Sequence, residues 1–198
     1  MNAEQKRRAV ALGQLHKRLL QTIQILTMDV KFADAQMQKD KLNEQFWRRT
    51  VIRCVCALVE GTLSALKAAA PETAGFFRVS LTENDMEIVN ELRLDKKSGL
   101  HRPAFLTPRE SIKESIKVFA KAHAIQMTAK YDDPKFGDLC DTFQLRNKLM
   151  HPKNSLELAV TDDALKTAVR GWNWFDTTLV YLLRQSTERL QRYPADFI

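Results

Sequence analysis

Helical spacing dominates this chain, and strand spacing is almost missing from it. No Asn-Gly or Asp-Gly dipeptide marks a hairpin turn, and no period-two alternation is sustained. Residues 3–28 hold no proline and one glycine, and Val10, Leu12, Leu15, Leu19, Leu20, Ile23, Ile25 and Leu26 fall at spacings of three, four and seven. That spacing puts them on one face of an amphipathic helix. The polar stretch 29–45 either continues this helix or links an N-terminal helical arm to a main body.

A second helix is predicted over 46–70. Phe46, Trp47, Val51, Ile52, Val55, Leu58, Val59, Leu63 and Leu66 make it apolar around more than half its circumference, so it belongs at the centre of the fold. Pro71 is expected to stop it. Glu60 lies inside it, either on an exposed stripe or facing a site. Residues 76–82 hint at an extended piece. Thr82 reads as an N-cap with Asp85 as acidic partner, opening a helix to about Leu94. The stretch 95–108 reads as a loop. Thr107, Pro108 and Glu110 form a cap, a first-turn proline and a capping-box acid, for a helix to about Thr128. Further helices are predicted over 134–150 and, capped by Thr161, over about 162–191. The expected fold is all-α. A helical arm over 1–45 precedes a bundle of about four core helices over 46–198.

Composition removes the main alternatives. In 198 residues, 6 Gly and 6 Pro are too few for a collagen-like or Pro/Gly-rich disordered chain. Three cysteines cannot staple a chain of this length. No uncharged apolar run reaches the roughly 18–20 residues that span a bilayer, so no membrane partner is expected. The first residues are too polar and basic for a secretory leader, which with free cysteines points to the cytoplasm. The net charge of +7 is uneven: residues 1–50 carry 10 basic and 5 acidic groups, and residues 161–198 carry five of each. Lys6-Arg7-Arg8 and Lys17-Arg18 are either phosphate contacts or a solvated face.

The segment richest in chemistry is Leu145-Arg146-Asn147-Lys148-Leu149-Met150-His151-Pro152-Lys153. Pro152 disfavours helical backbone at His151, so the helix should end or bend there. In an unbroken helix, residues five apart differ by about 140° around the axis. The bend, or a second chain, is what lets Arg146 and His151 converge. A guanidinium grips phosphate oxygens in a fork and stabilises transition-state charge. An imidazole moves protons near neutral pH. Together they suit RNA cleavage without a metal. The bland alternative is a helix-terminal His near the last carbonyls and a surface Arg.

Arg146-Asn147 with His151-Pro152, followed by a capped long helix ending in aromatic residues, resembles the HEPN superfamily (higher eukaryotes and prokaryotes nucleotide-binding domains). The family's mark is an Arg, a polar residue, a few variable residues and then His. The helix at 46–70 with Arg53 and Glu60 also looks like the family's first core helix, and the resemblance spans about 46–192. It implies a helical bundle that forms a homodimer, with two Arg–His motifs meeting in one composite RNA site. It also implies that Arg146 binds phosphate, His151 transfers protons and Asn147 orients the site or bonds to phosphate. Glu60 is a looser catalytic candidate, and Lys148 and Lys153 are candidate substrate-binding residues. Many family members are metal-independent endoribonucleases in toxin–antitoxin, antiphage or RNA-processing systems, which makes an antitoxin or defence-system protein a possible partner. Others are inactive and serve RNA binding or assembly. In one toxin branch a Tyr stands two positions after the His. Here Lys153 stands there, so the modification of that Tyr is not supported.

No cofactor or metal is expected. His16, His101, His123 and His151 lie at no metal-ligand spacing, and Cys54 and Cys56 diverge by about 200° around a helix. The three cysteines read as small buried apolar groups. Of Trp172 and Trp174, one is expected in the core and the other toward a rim.

Overall fold

The computed structural model describes residues 3–95, 98, 100–103 and 106–191, with backbone alone for 3–6, 8 and 9. The side chains of Lys6 and Arg8, and residues 192–198 of the domain expected over 46–198, lie outside these. Among the described residues there are six α-helices: α1 (Ala3–Lys39), α2 (Glu44–Phe77), α3 (Glu83–Asn90), α4 (Pro108–Ala122), α5 (Pro134–Met150) and α6 (Asp162–Gln191). Strands β1 (Leu92–Leu94) and β2 (His101–Pro103) form one antiparallel pair, with Arg93 opposite Arg102. Short 3₁₀ turns stand at Lys41–Asn43 and Ser155–Leu158. The chain is all-α apart from this small hairpin, as its sequence predicts. No helix among the described residues is long and apolar enough to cross a membrane.

The polar stretch 29–45 continues α1 as far as Lys39. Asp40 then caps the 3₁₀ turn, accepting from the Asn43 N–H at 3.2 Å and from the Trp47 indole N–H at 3.1 Å.

Pro71 does not stop α2; it lies inside it. The ring removes the hydrogen bond to the Lys67 carbonyl, a local cost of about 3 kcal/mol. Ala69, Ala70 and Ala74 around it are buried, and the Thr73 hydroxyl donates to the Ala69 carbonyl at 2.8 Å. Packing of this stretch outweighs the lost bond. The helix ends where Arg78 adopts φ 56° and the Val79 N–H donates to the Ala74 carbonyl at 2.8 Å.

Thr82 and Thr107 each form the reciprocal capping box with Asp85 and Glu110. The ends of both helices fall short of expectation. α3 stops at Asn90 because Glu91 turns left-handed, at φ 54°. α4 stops at Ala122: Ala124 is left-handed at φ 49°, its N–H donates to Lys121 O, and the Ile125 N–H donates to Ala120 O. This double bond pattern satisfies carbonyls the helix end leaves open. At α6, the Thr161 hydroxyl accepts from the Ala164 N–H at 3.2 Å.

The chain folds as two compact units, and residues 1–45 contribute to both. The first unit comprises 1–21, 62–128 and 180–198. Its buried cluster is Ala70, Ala74, Ile88, Val118 and Ala122, with Val79, Leu81, Val89 and Leu106 packed on it. The second comprises 22–61 and 129–179. Here α1 and α2 share a cluster of Ala33, Met37, Val51 and Val55. Ile52, Leu149, Val160 and Ala168 join α2 to α5 and α6. Trp174 is buried and Trp172 is partly buried against the first of these clusters. Gly171 on α6 lies so close to α5 that a β-carbon there would stand 2.5 Å from the Leu139 backbone nitrogen.

Candidate functional site

The site expected from the sequence lies wholly in the second unit, on α2, α5 and the segment after α5. Asp133 caps α5, accepting from the Lys135 N–H at 2.9 Å, and Pro134 occupies the first turn, where its missing N–H costs nothing. Phe136, Leu139, Phe143 and Leu149 bury one face of α5. Arg146 lies at the edge of that face.

The Arg146 Nη2 donates to Glu60 Oε1 of α2 at 2.5 Å, with side-chain exposures of 25% and 52%. Its Cζ stands 5.5 Å from the centre of the Phe143 ring, within cation–π range. Its Nε is enclosed and has no hydrogen-bond acceptor. The guanidinium is thus held at one tip by a carboxylate and backed by a ring.

His151 ends α5 at φ −133°, ψ 59°, outside the helical region, as the following proline requires. Its backbone N–H donates to the Asn147 carbonyl at 3.1 Å. The residue is exposed, and among the described residues no hydrogen bond joins its imidazole to Arg146. Asn147, Lys148 and Lys153 are exposed as well, and none of their side chains makes a hydrogen bond or ion pair among the described residues. The fold therefore brings Glu60 to Arg146, and leaves His151, Asn147, Lys148 and Lys153 open to a further partner.

The segment beyond His151 is organised by its own polar groups. The Asn154 side chain accepts from the N–H groups of Leu156 and Glu157, and Glu157 accepts from the Lys153 N–H at 2.8 Å. The last turn of α5 and this segment are also tied to α2 by residues that sequence reasoning did not single out for this role. Arg53 Nη2 donates to the Leu149 carbonyl at 3.3 Å, Arg49 to Leu158 O at 3.2 Å and Arg48 to Val160 O at 2.9 Å. Gln45 both donates to and accepts from the Val160 backbone. The sequence signal was a polar stripe at spacings of three and four on an otherwise apolar helix.

Cys56 is buried beside this site, and its thiol pKa is pushed up to about 12, chiefly by burial. It is not a nucleophile at neutral pH. Cys54 and Cys140 are partly buried.

The first unit holds a histidine pair that no spacing rule could show, because its members are 107 positions apart. His16 and His123 face each other with Nε2 atoms 3.2 Å apart. Each Nδ1 contacts the carbonyl four residues earlier, Leu12 O at 3.1 Å and Phe119 O at 2.9 Å. Burial depresses both pKa values, that of His123 to about 4.

Comparison with protein-family models, with curated proteins and with solved structures finds no match to this chain.

Proposed function

We propose that this chain is a metal-independent endoribonuclease of HEPN type, in which Arg146 and His151 from two copies form one composite site. The observation that supports it most is the Glu60–Arg146 contact. A carboxylate on one tip of the guanidinium orients it and leaves the remaining Nη N–H groups to take phosphate oxygens. Exposed His151, one from each copy, supplies a base for the 2′-hydroxyl and an acid for the leaving 5′-oxygen. The 2′-oxygen attacks phosphorus, the P–O5′ bond breaks, and a cyclic phosphate and a 5′-hydroxyl result. Asn147, Lys148 and Lys153, whose side chains have no partner among the described residues, would contact phosphates. A toxin or antiphage-defence role, with an antitoxin or defence-system partner, follows from the same reading.

A second reading is a non-catalytic helical module for RNA binding or assembly. It is favoured by the fact that Arg146 already holds a carboxylate, which phosphate must compete with. Incubation of the purified chain with single-stranded RNA in EDTA separates the two. Cleavage that is lost in both Arg146→Ala and His151→Ala supports the nuclease. Intact RNA that stays bound supports the module.

A further inference from the structure

We infer that Arg53 is a positioning residue for His151, acting through the main chain of α5 and the segment that follows. This inference rests on the reading of His151 as the proton-transfer group. The last carbonyls of a helix have no partner within it and carry the negative end of its dipole. Leu149 O is one of them, two residues before His151, and it accepts from Arg53 Nη2 at 3.3 Å. The Arg53 cation is therefore placed where a helix end favours positive charge.

The far end of the same segment is gripped by the same helix. Arg49 holds Leu158 O, while Arg48 and Gln45 hold the Val160 backbone. Between the grips, Asn154 and Glu157 satisfy the backbone N–H groups of Lys153, Leu156 and Glu157. The His151 side chain has no anchor among the described residues, so its placement depends on this backbone. Release of the Leu149 carbonyl frees the joint between α5 and Pro152 about which the imidazole swings. Arg53 and Glu60 lie on one exposed stripe of α2, separated by two turns, with exposed Ala57 between them. One stripe thus orients both groups of the candidate site, Glu60 through the Arg146 side chain and Arg53 through the His151 backbone.

The test compares Arg53→Gln and Arg53→Lys with the unaltered chain in three measurements: NMR of the His151 ring, RNA cleavage resolved into kcat and KM, and thermal unfolding. Arg53 is exposed, so unfolding is expected to shift little. The inference expects Arg53→Gln to shift and broaden the His151 ring resonances and lower kcat about tenfold or more, with KM within twofold. Arg53→Lys, which keeps a donor cation, should recover a good part of both. Unmoved His151 resonances in Arg53→Gln overturn the inference. So does a raised KM at unchanged kcat, which would make Arg53 a phosphate contact. If the unaltered chain cleaves no RNA, the nuclease reading fails. The NMR arm still decides whether Arg53 places His151.

Discussion

Glu60 and Arg146 stand 86 positions apart and meet at 2.5 Å, the carboxylate on α2 and the guanidinium on α5. Both are partly open to water, so the pair adds little to stability, below about 1 kcal/mol. Its consequence lies in orientation. Glu60→Gln is expected to leave the urea-unfolding midpoint almost unchanged. It should leave RNA binding as tight or tighter, since a competing anion is gone, while lowering cleavage about tenfold or more as the guanidinium is held only by a weaker, neutral hydrogen bond. Weaker RNA binding in this variant would show that Glu60 does not compete with phosphate for Arg146.

Gly171 has a different kind of necessity. A β-carbon at this position meets main-chain atoms of α5, Leu139 N at 2.5 Å and Leu139 Cα at 2.6 Å, and main chain cannot step aside as a side-chain tip does. Gly171→Ala must push α5 and α6 apart against a close-packed interior. That overpacking costs about 1–3 kcal/mol, well above the modest gain of alanine's helix propensity. The expected result is a lower urea midpoint with an unchanged slope. Gly61 makes a useful contrast, because its nearest neighbour is the tip of Leu26, 2.6 Å away, which can rotate. Gly61→Ala should cost less.

Ala124 pays for a left-handed backbone, at φ 49°, that glycine adopts freely. Both carbonyl-capping bonds at this helix end come from backbone N–H groups, of Ala124 and Ile125, so glycine keeps them. Ala124→Gly should therefore raise stability by about 0.5–1 kcal/mol, seen as a rise of about 1–4 °C in Tm. A fall in Tm would mean that the alanine methyl packs more favourably than its backbone is strained.

Those left-handed positions also explain what could and could not be read from the chain. The starts of α4 and α6 and both ends of α5 were legible, since Thr107, Pro134, Pro152 and Thr161 act locally and the structure obeys them. The ends of α2, α3 and α4 were not. Arg78, Glu91 and Ala124 close them, and none is the glycine by which such an end is recognised. Pro71 misled in the opposite sense, because burial of its alanine neighbours overrides a local rule. The hairpin at 92–103 carries no Asn-Gly or Asp-Gly turn, its Ser98-Gly99 reads only as a loop, and its strands are too short to show a period. In the candidate site, the Arg146–His151 spacing was legible because it is local. The Glu60–Arg146 pair was legible only as a suspicion about a carboxylate on an apolar helix. The ties from Arg48, Arg49 and Arg53 end on backbone carbonyls, which have no sequence of their own.

His16 and His123 make the first unit sensitive to acid. Each Nδ1 faces a carbonyl and so carries a hydrogen, which leaves two neutral rings without one for the contact between their Nε2 atoms. A third proton would fill that contact with a charged hydrogen bond, a gain of about 1.5–3 kcal/mol. It would also place a charge in the interior beside the rings of Phe77 and Phe119, at a cost of several kcal/mol. Arg189, which stands over Phe77, adds a like charge on that side, and no carboxylate pairs with either imidazole among the described residues. Burial wins, and the pair stays neutral when folded. The unfolded chain therefore binds more protons than the folded one. Stability is complete above the ordinary histidine pKa of about 6.5 and falls as pH drops toward the folded value, about 4 for His123. The full loss from His123 alone is about 3 kcal/mol. Urea unfolding at pH 7.5, 6, 5 and 4.5 should show this decline. Because carboxylates add their own slope, the comparison is with His123→Phe. It should begin lower at pH 7.5, having lost the hydrogen bond to Phe119 O, and then lose less between pH 7.5 and 4.5. Equal slopes in the two proteins would show that the histidine pair does not set the acid limit of the fold.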